Sequence, residues 1–420
     1  MHSSNTPAAP SCDKTPLLAI LVFTFANSIG TGLVTSGIYF ITKAAYGFSE
    51  IQNLFLAVGL GLVYIVGAQA AGPTLRALRR RFPGFSARKF LASIMLLMAA
   101  LCCIPPLLQL SGVPAQGTLG FIGIACLVLL YSPLSGALWP MVESYISGGR
   151  QDKELRSAIG TWNVVWSSAL PVAYWGMSGF IATQTVLAFV MLVLMHLGSC
   201  ITLIWFQREP ASHLHGEQPP PPVIYRRLLA VLRLLLPMAY MVTSALGPIL
   251  PELLRDLGVR EAWRPVLGSA WLAPRALAFV VLQRWHGWHG TWLAPILGTT
   301  MILAGFAGAV LSPMLGESLT SILIFVISLA FFGTGMAIIY AAAIYYAMEV
   351  GNAQVDAGGT HEALIGVGYT VGPLCGLAGA GMVALDQIPT HYGRAAVVVL
   401  VAVIGVTVSL IAWQKARKTR

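Results

Sequence analysis

The stretch Glu143–Gly160, ESYISGGRQDKELRSAIG, closes one long apolar run, crosses a charged turn and opens another. A related passage returns 206 residues on. Glu349 ends an apolar run, the polar turn GNAQVDAGGTHEA follows, and Ile365-Gly366 opens the next run. Glu143 to Ile159 and Glu349 to Ile365 have equal spacing, each acid closely follows a methionine (Met141, Met348), and each turn closes on an Ile-Gly pair. The two passages read as an internal duplication, with the same helix-turn-helix at the same depth in each half of the chain.

The surrounding composition says what solvent those runs meet. Of 420 residues, 57% are hydrophobic and 10% charged, with a mean hydropathy of +0.77. A soluble domain carries about 25% charged residues, so lipid must be the solvent for most of this chain. Crossing a bilayer takes about 20 mostly apolar residues. Twelve such runs are present, at 16–42, 51–72, 89–109, 117–146, 157–181, 184–206, 227–250, 264–284, 291–312, 318–348, 362–385 and 394–414. Hydrocarbon leaves no partner for an unpaired backbone group, so each run is expected to be a helix. The expected fold class is an all-α membrane protein, with twelve transmembrane helices in two pseudo-symmetric six-helix bundles. A proline-rich polar segment, REPASHLHGEQPPPPVIYRR, separates runs 6 and 7. It divides the chain into a first bundle at 1–206, a linker at 207–226 and a second bundle at 227–420.

The net charge of +10 is dispersed through short loops and the chain end, which argues against nucleic acid as a partner and for a topology signal. Even-numbered loops and the termini hold most Lys and Arg, including Lys14, Arg76, Arg79, Arg80, Arg81, Arg150, Arg156, Arg208, Arg226 and Lys415. Odd-numbered loops hold Lys43, Arg255, Arg260, Arg264 and Arg394. Both termini are therefore expected in the cytoplasm of a plasma or bacterial inner membrane. The start, MHSSNTPAAPSCDK, lacks a basic region before the first run, and no cleaved signal is expected. The six cysteines (Cys12, Cys102, Cys103, Cys126, Cys200, Cys375) have no metal or redox spacing and read as small apolar residues. No phosphate loop, zinc-protease helix or nucleophile elbow is present, so neither an enzyme nor a cofactor is expected.

A charge at midspan costs about 2.5–3.5 kcal/mol, so ionisable groups inside runs are candidates for function. Arg275, in WLAPRALAF, has no acid in its own run and is expected to face the interior. Glu143 and Glu349 end runs 4 and 10, where an acid paired in one state and solvated in another makes a two-state element. After Glu349 the second half carries His361 and Glu362 where the first carries Arg156, and a histidine there is a candidate proton carrier. Run 1 contains Asn27-Ser28-Ile-Gly30-Thr31-Gly32, which reads as a softened helix with small polar groups. Run 7 echoes it in Tyr240, Thr243, Ser244 and Gly247-Pro248. Arg284-Trp285-His286-Gly-Trp288-His289 reads as an interfacial aromatic belt in preference to a metal site. His196 reads as a hydrogen-bonded group within its bundle, and His213 and His215 as solvated linker residues.

Twelve spans split six and six, a basic 2–3 loop, a central linker and a repeated 4–5/10–11 turn resemble the major facilitator superfamily over nearly the whole chain. The 2–3 loop, Gly72-Pro-Thr-Leu-Arg76-Ala-Leu-Arg79-Arg80-Arg81-Phe-Pro-Gly84, has the glycine and basic cluster of that family's signature, with Arg76 where the family has Asp. Arg156-Ser-Ala-Ile-Gly160 resembles the Arg-Gly opening of span 5 in facilitator sugar carriers, where a span-4 acid, here Glu143, pairs with the Arg. Gly359, Gly368, Gly372-Pro373 and Gly376 are similar in spacing to the glycine-proline motif of facilitator antiporters, which lies in their span 5. Here these residues suggest close helix approach or gating. In the family, spans 1, 4, 7 and 10 line the cavity, which selects Asn27, Tyr131, Tyr240, Thr243 and Tyr340, followed by Asn163 and Trp166 from span 5. The resemblance implies a secondary carrier that moves a small organic solute by alternating access. Lipid and solute are its expected partners, protons a candidate third, and a monomer its expected state. The alternative is a membrane sensor or assembly factor that keeps this fold without transport. Arg275 points to an anionic solute and the aromatic residues to a bulky neutral one.

Overall fold

The computed structural model describes residues 14–150, 152–180, 184–211, 222–350, 355–389 and 392–418, and all regular structure among them is helical. Twelve long helices follow in chain order. The first six are α1 (Leu17–Tyr46), α2 (Glu50–Arg81), α3 (Ala87–Leu110), α4 (Thr118–Ser147), α5 (Asp152–Ser178) and α6 (Thr185–Trp205). The second six are α7 (Val223–Asp256), α8 (Glu261–Arg284), α9 (Leu293–Leu315), α10 (Leu319–Val350), α11 (Val355–Ala384) and α12 (Gly393–Lys418). They correspond in order to the twelve apolar runs. Most of the expected linker, with His213 and His215, lies outside the described residues. Its final part does not act as linker, because Val223 to Arg226 already belong to α7.

Eleven of the twelve are long and apolar enough to cross a membrane. The exception, α5, has 27 residues but carries Thr161, Asn163, Ser167 and three tryptophans among them. It packs between α1 and α8, so protein rather than lipid meets much of that polar face. The outer surface is apolar instead: Val66, Leu194 and Val399 are each more than half exposed, as suits side chains solvated by hydrocarbon. Helix ends are set locally. Ser49 and Gln52 form a reciprocal capping box at the start of α2, and Gly47 ends α1 at φ 70°.

Packing partners repeat with a shift of six helices. α1 packs on α5 and α6, as α7 does on α11 and α12; α2 packs on α4, as α8 does on α10; and α3 packs on α4 and α6, as α9 does on α10 and α12. The two sets meet along two seams, α2 with α11 and α5 with α8, and α4 also reaches α11.

Three of the helices that build the space between the sets are irregular. α1 widens into a π-helical segment at Gly32–Gly37, just beyond the softened stretch expected at Asn27–Gly32. Such segments occur frequently at functional sites. α7 tightens to a 3₁₀ turn at Gly247–Ile249, around Pro248. α8 breaks after Gly268 and restarts at Leu272, one turn before Arg275.

Small residues let the α2–α11 seam close. A Cβ on Gly61 would lie 2.6 Å from the backbone nitrogen of Thr370, and one on Gly366 would lie 2.7 Å from Ile65 Cγ1. Gly61→Leu is therefore expected to lower thermal stability, since overpacking of a filled contact costs ~1–3 kcal/mol. Gly198→Leu on α6, where a Cβ meets nothing within 4 Å, is expected to leave the melting temperature in detergent unchanged. Equal melting temperatures for the two variants would show that the seam is not tightly packed.

Candidate functional site: a cavity between the two sets of helices

A cavity of about 90 Å³ lies in the middle of the bundle and takes its walls from both sets of helices. From the first set come Ser28, Thr31 and Thr35 of α1, Tyr64 of α2, Trp139 of α4 and Trp162 and Trp166 of α5. From the second come Tyr240 and Thr243 of α7, Trp271 and Arg275 of α8, Tyr340 of α10, and Glu362 and Tyr369 of α11. The walls are thus aromatic rings with a few hydroxyls, one cation and one acid.

Arg275 is 2% exposed. Its guanidinium lies 4.3 Å from the centre of the Trp166 ring, 5.4 Å from Trp271 and 5.9 Å from Phe279. Trp271, Arg275 and Phe279 are four residues apart on α8, so helix geometry stacks them on one face. Nη2 reaches the Tyr240 hydroxyl at 3.5 Å, while Nε has no partner. No described carboxylate lies within 4.0 Å of it. The aromatic faces supply part of the compensation that a buried cation needs.

Glu362 belongs to a second buried group beside this cation. Its carboxylate accepts a hydrogen bond from the Tyr64 hydroxyl and is hydrogen-bonded to Glu143 of α4. His361 stands next to it, and the ligand atoms of Glu143, His361 and Glu362 lie within 4.8 Å of one another. Glu143 Oε1 and His361 Nε2 have no partner. One imidazole nitrogen and two carboxylates form a donor set suited to a divalent cation. Two carboxyl groups joined by a hydrogen bond, however, must hold a proton between them, because an ionised carboxylate only accepts. No metal is assigned to the group. The group spans α2, α4 and α11, and so bridges the two sets of helices.

The two ends of the bundle differ. Where the even-numbered connections gather, a wider vestibule of about 560 Å³ opens between α5, α8 and α10, lined by Lys153, Arg156, Asn163, Gln283 and His289 among others. His289 is pushed down to about 4 by burial, with the charges of His286 and Arg156 adding to it. It is neutral at ordinary pH and stacks on Tyr345 at 4.2 Å. At the opposite end an ionic network ties the helices together. Lys43 at the end of α1 pairs with Glu252 of α7. Arg255 meets Glu252 at 2.5 Å and Asp256 at 3.2 Å, and Arg394 of α12 reaches Asp256 at 2.7 Å. The Lys43–Glu252 pair crosses between the two sets. At the vestibule end, the pairs Lys14–Glu154 and Arg79–Glu209 each stay within the first set.

No family profile matches the sequence, and no curated protein does. Among solved structures, the crystal structure of the nucleoside transporter NupG superposes with a TM-score of 0.64 at 12% identity, covering 95% of this chain and 99% of that one. The chain shares the overall fold of that structure.

Within this fold the expected residues separate into groups. Arg275, Trp166, Tyr240, Thr243 and Tyr340 line the central cavity together. Asn27 and Tyr131 do not. They belong to a buried polar knot inside the first set, in which Tyr131 Oη meets His196 Nε2 at 3.1 Å and His196 Nδ1 meets Asn27 Oδ1 at 3.3 Å. Asn27 also donates to Phe23 O at 2.8 Å and to Ser199 Oγ at 3.3 Å. Both residues sit on helices that border the cavity, but their side chains turn toward α6. Asn163 accepts from Trp166 Nε1 at 3.0 Å and lines the vestibule with Arg156. Glu143, expected to pair with Arg156, carries its hydrogen bond to Glu362. Arg76 is exposed at the end of α2. The side chain of Glu349 lies outside the described residues. Gly372 and Pro373 lie where α11 packs on α7, a Cβ at Gly372 falling 2.1 Å from Met241 O.

Ser28 and Thr31, of the softened stretch in run 1, also line the cavity, whereas sequence reasoning did not select Tyr64, Trp139, Trp271 or Tyr369. For Trp271 the four-residue spacing to Arg275 was an available signal; for Tyr64 and Tyr369, which face each other across the α2–α11 seam, there was none. Tyr64→Phe removes the only hydroxyl donor to Glu362 among the described residues. Losing a donor to a buried acceptor costs about 1–3 kcal/mol, so its melting temperature is expected to fall clearly. A Tyr64→Phe variant as stable as the parent would place that hydroxyl outside the network.

Proposed function

We propose that this chain is a secondary carrier that passes a small organic solute through the central cavity by alternating access. The observation that carries the reading is the placement of that cavity. It is built by both sets of helices, and a wide vestibule lies at one end of the bundle while a cross-set ionic network lies at the other. Rocking of residues 1–206 against residues 227–420 would part Lys43 from Glu252 and narrow the α5–α8 opening, exposing the same cavity to the other side. The likeness to NupG, itself named a nucleoside transporter, supports a solute carrier. The Lys and Arg distribution supports a vestibule and termini that face the cytoplasm, in a cell membrane.

We further propose that movement is coupled to protons, through the hydrogen-bonded Glu143–Glu362 pair. The groups around Glu362 are Tyr64 from α2, Glu143 from α4, Tyr240 from α7, Tyr340 from α10, and His361 and Tyr369 on its own helix, and Arg275 from α8 lines the same cavity. A second proton on the pair neutralises it, and separation of the pair between α4 and α11 alters what holds the halves together. Proton occupancy and the equilibrium between the two states are therefore linked.

Proteoliposomes loaded with the full chain test both statements. Radiolabelled uridine and benzoate are offered under an inward proton gradient. At least one is expected to accumulate and to leak back when a protonophore is added. Glu362→Gln is expected to abolish accumulation while exchange of labelled for unlabelled solute continues. Accumulation insensitive to the gradient would remove the proton; absence of both uptake and exchange, with a stable protein partner in pull-downs, would favour the sensor.

A further inference from the structure

We infer that the central cavity is an anion site, and that its solute is a small aromatic monocarboxylate rather than a neutral molecule. This deepens the carrier reading above and rests on it for the identity of the cavity as the solute site. Two observations carry it independently. The first is Arg275. It is 2% exposed and borders the cavity, with an unpartnered Nε and no described carboxylate within 4.0 Å. A guanidinium in such a place is held by rings on its faces and is left open along its Nε edge. That edge presents two N–H groups in the fork that matches a carboxylate. Nη2, the other half of the fork, makes only its 3.5 Å contact with Tyr240.

The second is Ser28, from the opposite set of helices. It is 2% exposed, its hydroxyl has no partner, and it lines the same cavity. Buried polar atoms are ordinarily satisfied. Here two unsatisfied donors, one cationic and one neutral, border a single space. An acceptor with negative charge satisfies both. The cavity's one acid, Glu362, is engaged with Tyr64 and Glu143 and lies more than 4.0 Å from the guanidinium, so a neutral solute leaves the fork without a direct anionic partner.

The remainder of the wall sets the rest of the ligand. Trp139, Trp162, Trp271, Tyr174, Tyr340 and Tyr369 surround the cavity. Aromatic walls favour a flat apolar body, which can stack or meet them edge-on. At about 90 Å³, less than the roughly 150 Å³ of an apolar cavity that takes benzene, the space limits the body to a single ring.

The test is equilibrium binding to the purified full chain in nanodiscs, with benzoate and its neutral isostere benzamide. Benzoate is expected to bind saturably and benzamide at least ~10-fold more weakly, because only benzoate offers charge to the guanidinium. Arg275→Gln is expected to weaken benzoate by ~30-fold or more. Arg275→Lys keeps the charge without the fork and is expected to fall between. Ser28→Ala, a small change that tests the site should Arg275→Gln fail to fold, is expected to weaken benzoate several-fold and leave benzamide unaffected. Equal affinities for the two probes, no saturable benzoate binding to the parent, or benzoate binding that survives both Arg275→Gln and Ser28→Ala each overturn the proposal. The two readings fail separately. Benzoate binding without uptake in proteoliposomes keeps the anion site and removes the carrier. Uridine uptake that persists in Arg275→Gln keeps the carrier and removes the anion class.

Discussion

Hydrocarbon offers no hydrogen bonds, and this chain is arranged around that constraint. Every backbone group inside the bilayer has to find its partner within its own helix or against a neighbour, so the described structure is wholly helical. The same constraint sorts the side chains. Leucines and valines such as Leu194 and Val399 can face outward, whereas the hydroxyls, amides and charges of the spans' middles, such as Asn27, Ser28 and Arg275, turn inward. Two of the buried polar groups among the described residues are chemically different. The Asn27–His196–Tyr131 knot lies within one set of helices and its members find partners. The group around Arg275 and Glu362 lies between the sets and keeps unpartnered atoms. A satisfied network rigidifies; an unsatisfied one leaves valence for something that comes and goes.

Helix number, order and type were legible in the sequence, because lipid imposes a length and an apolarity on each span that few other constraints imitate. Arg275 was legible for the same reason: its cost at midspan demands an interior position, whatever the helix packs against. The rotation of each helix was not legible. Asn27 and Tyr131 lie on helices that border the cavity, yet they turn toward α6, and nothing in runs 1 or 4 records which neighbour a polar face will meet. The pairing of Glu143 with Glu362 was hidden in another way. The two residues are 219 positions apart, and the internal repeat suggested that each acid would find its partner within its own half. The structure joins Glu143 to the other half. Repetition in sequence describes how the halves resemble each other and is silent on how they touch.

The two seams differ in chemistry. α2 and α11 approach through Gly61 and Gly366, with backbone close to side chain. α5 and α8 meet through larger and more polar groups: Gln283 Nε2 lies 3.4 Å from Thr161 Oγ1, and Trp175 Nε1 donates to Ser269 Oγ at 3.0 Å. A smooth contact resists separation but permits tilting about its length. A contact made of long polar side chains can be broken and remade one bond at a time. The first is held by close backbone approach and the second by hydrogen bonds between side chains.

The π-helical segment of α1 has a related consequence. Along a uniform α-helix successive side chains diverge by about 100°, so neighbours such as Thr35 and Ser36 would not be expected to look into one small space. Both border the cavity, and both lie in the π-helical segment Gly32–Gly37, whose wider turn sets neighbours at a smaller angle than an α-turn does. Two adjacent hydroxyls of α1 thereby share one wall, so a single turn of one helix supplies two polar groups to whatever occupies the space.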